Sequence, residues 1–202
     1  MKKLFILFTC ILFISGCAGA GNVNKESQFS DEQKNLIMSA DSSTVMRVLS
    51  IFNRKDSLLL RSKSQDVIAG TNDAALQNLV KRMYATVNDS LNAGVGIAAP
   101  QVGILKNIIW VQRYDKPGYP FEVYFNPRIK QYTKQKIQWV EGCLSVPGMK
   151  DTTRTRSFAI LLEYDRPDKS HNLEMVEGFT AVIFQHEIDH LNGIIYLDRR
   201  RK

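Results

Sequence analysis

The clearest periodic pattern in the chain lies in residues 73–89, where apolar side chains recur at intervals of three and four positions. This spacing predicts an amphipathic helix with one buried face. Asp73 and the two polar residues before it can cap the first turn of that helix. Ser30 followed by Gln33 forms a second capping pattern, which predicts a short helix that ends at Met38.

From Gly94 onward the pattern changes to short apolar runs between Gly, Pro and Asp turns, at residues 107–112, 122–126, 136–140 and 158–164. These runs predict β-strands. A strongly apolar segment over residues 177–191, followed by Asn192-Gly193, predicts a final helix with a glycine stop. The order of the elements predicts one α+β domain, in which antiparallel or mixed sheets pack around that last helix.

The N-terminus has the pattern of an exported leader. Lys2 and Lys3 precede an apolar run over residues 4–14, and small residues follow before Cys17. This combination is typical of a secretory signal, because the run is too short to span a bilayer. A buried N-terminal helix or strand is the alternative, but neither turn residues nor an amphipathic period support it.

We therefore predict a signal peptide over residues 1–16, a small, polar tether over residues 17–41 and a folded domain over residues 42–202. The sequence Ile14-Ser15-Gly16-Cys17 resembles the lipobox of bacterial lipoproteins, in which the leader is removed before a cysteine that is then acylated. This resemblance implies an envelope protein anchored to the membrane through lipidated Cys17, on the periplasmic or surface side. Ala18 is similar to the residue found in lipoproteins of the outer membrane. If the leader is not used, the domain is cytoplasmic.

The composition is that of an ordinary globular protein, with 44% hydrophobic and 23% charged residues in a chain of 202. This length is enough for one substantial core. The net charge is +7, and the basic residues are spread along the chain without a nucleic-acid-binding motif. We therefore predict no nucleic-acid partner, and we interpret the basic end at residues 199–202 as a solvated terminus.

Candidate chemistry begins with His186, Glu187 and His190 in the sequence FQHEIDHLNG. Positions four apart share one face of a helix, so both imidazoles can reach one point in space. The HExxH pattern is typical of zinc hydrolases, in which the histidines bind the metal and the glutamate moves protons. An ordinary surface or core helix can carry the same three residues. His171 lies among turn residues, and we predict that it is a solvated loop side chain.

Cys143 is the candidate for a third metal ligand, because Cys10 lies in the leader and Cys17 lies at its end. A domain with one remaining thiol can form no internal disulfide. Gly142 gives the backbone freedom to turn the sulfur inward, and nearby peptide N–H groups are candidates for an oxyanion site. A small buried hydrophobic residue is the alternative interpretation of an isolated cysteine.

The segment GVGIAAPQ, residues 94–101, is the third candidate. Its two glycines and two alanines indicate a backbone that another group approaches closely. Gln101 carries a side-chain amide that can donate a hydrogen bond to a carbonyl oxygen. Taken alone, the segment is equally typical of a turn.

Together, GVGIAAPQ, EGCLS and QHEIDHL resemble the three motifs of the peptide deformylase family, in the same order. The resemblance covers residues 45–198, and residues 57–67 are similar to the segment that opens the family's domain. Four residues in and after the last helix also match, namely Gly178, Ala181, Gly193 and Asp198. The resemblance implies the family's fold and the hydrolysis of the N-formyl group from N-formylmethionyl peptides, with release of formate.

The resemblance implies one divalent metal ion per chain, bound by Cys143, His186 and His190 with water in a fourth position. Family members commonly use Fe²⁺. One thiolate and two imidazoles also suit Zn²⁺, Ni²⁺ or Co²⁺, so the residues do not select the ion.

The resemblance also implies how the substrate is handled. Glu187 would act as general base and acid, while the formyl oxygen would lie between the metal, the Gln101 amide and the backbone N–H of Leu144. The peptide would pair as an extra strand along Val95 and Gly96.

Further substrate contacts follow from the same resemblance. Gly142 would face the peptide, and Val182 is the candidate for lining an apolar pocket that takes the methionine side chain. The family's substrate-side arginine corresponds to Arg154 or Arg156, and the sequence does not decide between them.

Two other functions remain open on the residues alone. An HExxH metallopeptidase is one, although a cysteine is an unusual third ligand for peptide-bond hydrolysis. A non-enzymatic lipoprotein that binds formylated peptides is the other, although the chain has lost neither the glutamate nor a ligand. A deformylase outside the cytosol could not serve ribosomes, so its substrates would be secreted or scavenged formyl peptides. The sequence does not determine the oligomeric state.

Overall fold

The computed structural model describes residues 28–70, 72–90 and 94–200. The helices are α1 (Asp31–Met38), α2 (Arg54–Leu60), α3 (Ala74–Val87) and α4 (Gly178–Leu191). The strands are β1 (Gly96–Ala98), β2 (Ile108–Gln112), β3 (Phe121–Tyr132), β4 (Lys136–Gly142), β5 (Lys150–Ser157), β6 (Ala159–Asp165) and β7 (His171–Glu177). No helix in these residues is long and apolar enough to cross a membrane. The predicted signal peptide and Cys17 lie outside the described residues.

The strands form two antiparallel sheets. A five-stranded sheet has the order β1-β2-β3-β6-β7, while β4 and β5 form a separate two-stranded sheet. Strand β1 is therefore at an edge of the large sheet and pairs only with β2 among the described strands. This leaves the other side of β1 open to a further strand.

Two helices cover opposite faces of the five-stranded sheet. Ile108 belongs to the core cluster that contains the apolar face of α3, whereas Ile109 belongs to the cluster that contains α4. Because successive side chains of a strand point to opposite faces, α3 and α4 lie on different sides of the sheet.

Helix α4 is buried over most of its length. Every residue from Thr180 to Leu191 is buried, and the helix contacts β1, β2, β5 and β7. Its first half is apolar up to Phe184 and packs in the core, while its second half carries buried polar residues, namely Gln185, His186, Glu187, Asp189 and His190. The prediction of an α+β domain with sheets packed around this helix is confirmed.

The predicted tether is shorter than residues 17–41. The expected capping box at α1 is present, since Ser30 accepts a hydrogen bond from the backbone of Gln33 at 3.2 Å and the Gln33 side chain accepts one from Ser30 at 3.1 Å. Phe29 and Ile37 are buried in the core cluster of α3. Because two apolar side chains anchor this segment, the folded domain begins upstream of residue 42.

The predicted strands are present, but β1, β5, β7 and helix α2 were not predicted. Strand β5 has the sequence KDTTRTRS, which carries almost no apolar signal. Strand β7 begins at His171, so the prediction that this residue lies in a loop is wrong, although its side chain is exposed as expected. Both strands are specified by pairing with a neighbour rather than by their own residues.

A cluster around Glu122 makes the fold sensitive to acid. Burial alone would raise the pKa of Glu122, but hydrogen bonds from Tyr124, Arg166 and Lys116 outweigh it and lower the pKa to about 2. The Tyr124 hydroxyl donates at 2.6 Å and Arg166 at 2.7 Å. The ionised carboxylate therefore stabilises the folded state above its ordinary pKa of 4.5, and this contribution is lost as the pH falls towards 2.

We expect Glu122→Gln to flatten the pH dependence of stability between roughly pH 5 and pH 2. After allowing for solvent screening of a partly exposed side chain, the parent should lose about 2 kcal/mol more free energy of unfolding over that range. Urea unfolding at a series of pH values measures the difference. Equal slopes for the two proteins would contradict this interpretation of the cluster.

Candidate metal centre

Two candidate ligands lie on one face of α4. His186 and His190 are four positions apart in the helix, and their ring centroids are 5.1 Å apart. His190 is 1% exposed, and burial together with the neighbouring His186 lowers its pKa well below the ordinary value. A neutral imidazole is the form that binds a metal, so burial keeps His190 competent as a ligand.

Strand β4 directs alternate side chains towards α4. Trp139 and Glu141 are more buried than their neighbours Val140 and Gly142, and Cys143 follows the strand with the same orientation. The period of two in a strand therefore places Cys143 over the histidines. Its Sγ lies 3.1 Å from Nε2 of His190.

The three side chains fit a metal ion by distance and by chemistry. Ligand atoms of Cys143, His186 and His190 all lie within 4.8 Å of one another. A thiolate with two imidazoles is also a donor set that binds zinc and similar ions. This donor set leaves the fourth tetrahedral position free, as catalytic sites require.

The carboxylate of Glu141 orients the imidazole ring of His186. Its carboxylate accepts a hydrogen bond from Nδ1 of His186 at 2.7 Å, which leaves Nε2 to face the other ligands. Burial would raise the pKa of Glu141, but hydrogen bonds with His186 and Arg156 outweigh it and lower the pKa to about 2. The carboxylate stays charged and holds one tautomer of the imidazole.

Arg156 supports this arrangement through buried ion pairs. It donates to Glu141 at 2.8 and 2.9 Å and to Asp189 at 2.6 Å, and it is 3% exposed. Of the two arginines considered from the sequence, Arg154 is exposed and Arg156 is buried, and neither lines the cavity described below. The cavity's lysine is Lys150, on β5.

We expect Glu141→Gln to weaken metal binding by roughly 10- to 100-fold, because the imidazole loses its charged partner. Competition with a chelator measures the change. Glu177→Gln is the matched control, since Glu177 lies immediately before α4 and does not line the cavity. An unchanged affinity in Glu141→Gln would show that the hydrogen bond does not serve the metal site.

Glu187 lies at the centre of the site without a fixed partner. Its Oε2 is buried and has no hydrogen-bond partner in the described part of the chain. Burial raises the pKa of Glu187 to about 7. A Cβ on Gly96 would lie 2.6 Å from Oε1 of Glu187, so a larger residue at this position would force the carboxylate to move. The close approach predicted from the glycine segment is present here.

Gln101 is positioned by the 3₁₀ turn that follows β1. Its Oε1 accepts a hydrogen bond from the backbone of Ala98 at 2.8 Å, which turns Nε2 towards Cys143 and Ser145. Nε2 lies 3.6 Å from Sγ of Cys143 and 3.3 Å from Oγ of Ser145. The amide donor therefore faces the candidate metal site, beside Leu144.

These elements enclose a cavity of about 860 Å³. The predicted site residues that line it are Val95, Gly96, Gln101, Gly142, Cys143, Leu144, Val182, His186 and Glu187. His190 is buried and does not line the cavity. The structure thus brings together all three sequence segments that carry candidate chemistry. Their roles in binding and catalysis stay predictions.

Sequence reasoning missed several contributors to the cavity. Glu141 stands within the quoted EGCLS segment, and its position two residues before Cys143 on a strand was a usable signal. Trp139 lies two residues before Glu141, so the same alternation places it on the same side of the strand. Lys150 and Phe179 gave no comparable signal, because their place at the cavity depends on how distant elements pack.

The comparisons with known proteins agree with this geometry. The sequence profile of the family described as Polypeptide deformylase matches residues 48–202. A curated peptide deformylase from Leptospira biflexa serovar Patoc is 34% identical over 165 residues, which cover 77% of this chain and 87% of the relative.

Solved structures agree as well. The class I type b peptide deformylase from Acinetobacter baumannii, bound to Met-Ala-Ser, matches with a TM-score of 0.68 and 34% identity, over 78% of this chain and 99% of that one. Peptide deformylase from Thermotoga maritima matches with a TM-score of 0.68 and 30% identity, over the same shares of the two chains. With a profile spanning most of the sequence and relatives above 30% identity, the chain belongs to the peptide deformylase family.

Proposed function

We propose that one cavity of this enzyme both holds the metal and hydrolyses the substrate. As a peptide deformylase, the chain removes the formyl group from N-formylmethionyl peptides and releases formate. The observation that carries the assignment to this cavity is the convergence of three distant segments around Cys143, His186 and Glu187. Cys143, His186 and His190 would hold one divalent ion, which would supply a Lewis acid and make water a better nucleophile near neutral pH.

Glu187 moves the proton in this proposal. Its carboxylate, against Gly96, takes a proton from the water as the water oxygen forms a bond to the formyl carbon. When the C–N bond breaks, Glu187 gives the proton to the leaving amine. Formate and a peptide with a free N-terminal methionine result, and the carboxylate is restored.

The formyl oxygen needs donors as negative charge develops on it. Nε2 of Gln101 faces the sulfur of Cys143, and the backbone N–H of Leu144 follows that cysteine directly. The Gln101 amide is fixed by its hydrogen bond from Ala98, and Leu144 lies in the turn that follows β4, so both donors are positioned before the reaction. We assign them as the two oxyanion donors.

The peptide enters along the open edge of β1. Val95 and Gly96 line the cavity, and no described strand pairs with this side of β1. An extended peptide can therefore add a strand here, as in other β-augmentation complexes. Gly142 faces the same space from β4.

We expect Gln101→Ala to lower kcat by about 10²- to 10³-fold, the usual cost of removing one oxyanion donor. Steady-state kinetics with formyl-Met-Ala-Ser measure the effect. Gln112→Ala, in β2 outside the cavity lining, is the control and should keep the parent rate. A Gln101→Ala protein with unchanged kcat would remove the side chain from the mechanism.

Product analysis separates this function from the metallopeptidase alternative. Mass spectrometry of a formylated hexapeptide should show loss of the formyl group alone, with every peptide bond intact. Internal fragments without formate would instead support a peptidase.

We propose that the resident ion is zinc or another redox-stable metal. The donor set suits several first-row ions, and Fe²⁺ outside the cytosol would be exposed to oxidation. This proposal depends on export, because a cytosolic enzyme would face a reducing environment. Metal analysis of protein isolated from its native membrane fraction tests it, and a predominance of iron would refute it.

We also propose that the mature protein is anchored in the bacterial envelope through lipidated Cys17. Support comes from the lipobox-like sequence Ile14-Ser15-Gly16-Cys17 and the apolar leader before it. Metabolic labelling with a radioactive fatty acid should mark the parent and not Cys17→Ser. Label in both proteins, or in neither, would contradict the proposal.

A further inference from the structure

One end of the cavity is aromatic. Trp139 and Phe179 both line it, with ring centroids 4.5 Å apart and ring planes inclined by 19°. Phe179 also contacts Tyr114, at 5.1 Å between centroids, and Tyr114 contacts Tyr119 at 5.2 Å. The two tyrosines do not line the cavity, so they support the stacked pair from outside.

The stacked pair and the candidate metal ligands lie at opposite ends of the same two elements. In α4, Phe179, Val182 and His186 are spaced by three and four positions and share one helix face. Phe179 therefore lies roughly 10 Å along the helix from His186. Trp139, in β4, precedes Cys143, just after the strand, by four positions, which is an even spacing that favours the same side.

This separation suits the side chain of a formylated methionine. With the formyl group at the metal end, an extended methionine side chain reaches about 7 Å from the formyl carbon. The side chain would run past Val182 and bring its sulfur to within contact of the aromatic end. Sulfur–aromatic contacts occur at about 5 Å from the ring, often at its edge.

We propose that Trp139 and Phe179 are specificity-determining residues that recognise the sulfur atom of the substrate methionine. This inference rests on the proposed function of the cavity. It adds the basis on which the cavity selects the first side chain of the substrate. An aliphatic pocket wall would treat methionine and norleucine alike, because the two side chains have nearly the same shape. An aromatic wall distinguishes them, since only sulfur is polarisable enough to gain from the rings.

The test compares formyl-Met-Ala-Ser with formyl-norleucyl-Ala-Ser on the full chain. We expect kcat/KM to favour the methionine peptide by about two- to tenfold, the range of sulfur–aromatic contacts. In Trp139→Leu and Phe179→Leu the ratio should fall towards one. Because both peptides are assayed on the same preparation, the ratio does not depend on the folded or metal-loaded fraction.

Tyr119→Leu is the matched control, because it removes an aromatic ring from the same series of contacting rings but outside the cavity. It should keep the parent ratio. A parent ratio of one, or a ratio unchanged in both cavity variants, overturns the inference.

A second measurement keeps this inference separate from the proposed function. If neither peptide releases formate, the proposed function fails, and calorimetric titration of the two intact peptides decides the inference. Tighter binding of the methionine peptide, lost in Trp139→Leu, supports it, and equal binding of the two peptides overturns it.

Discussion

Replacing Glu187 with alanine is expected to abolish most turnover while leaving the metal in place. Glu187 lies between the histidines in sequence, but the candidate metal-binding group consists of Cys143, His186 and His190. Loss of a general base or acid typically costs about 10²- to 10⁴-fold in rate. We therefore expect kcat for formyl-Met-Ala-Ser to fall by about that factor.

The experiment needs rate and metal content from one preparation. Glu187→Gln is the closer variant, since it keeps the shape of the side chain against Gly96 and removes only the ability to accept a proton. Glu177→Ala, next to α4 and outside the cavity, should retain the parent rate. If Glu187→Ala were as active as the parent, the assignment of the general base would be wrong.

Replacing Cys143 with alanine is expected to remove both the metal and the activity. The sulfur lies 3.1 Å from Nε2 of His190, and two imidazoles alone form an incomplete site. The loss of affinity should exceed the roughly 10- to 100-fold change typical of residues that only support a ligand. Metal analysis after dialysis, together with the formate assay, measures both effects.

His171→Ala is the matched control for the metal measurement. His171 is exposed on β7 and pairs with Asp165 at 2.7 Å, outside the cavity. It should retain the parent's metal content and rate. If Cys143→Ala kept one tightly bound ion per chain, the metal would have to lie elsewhere in the protein.

Those parts of the molecule that depend on nearby residues could be predicted from the sequence. The capping box at Ser30 and the apolar face of α3 are local patterns, and both elements are present. The glycine at position 96 signalled a close approach, and Glu187 is the group that approaches. Recognition of three motifs then placed distant segments in one site.

The parts that depend on tertiary contacts could not be predicted in this way. Strand β5 is polar throughout and exists because it pairs with β4 and packs near α4. The burial of Arg156 follows from its ion pairs with Glu141 and Asp189, which lie far apart in the chain. Its sequence alone left it open as a substrate-side arginine, because a buried and an exposed arginine have the same local pattern.

The most direct measurement is formate release from formyl-Met-Ala-Ser by the full chain, purified anaerobically with iron or nickel, alongside its metal content. We predict formate in equal amounts with free peptide N-termini, at one metal ion per chain. A folded protein that carries one ion per chain and releases no formate would contradict it.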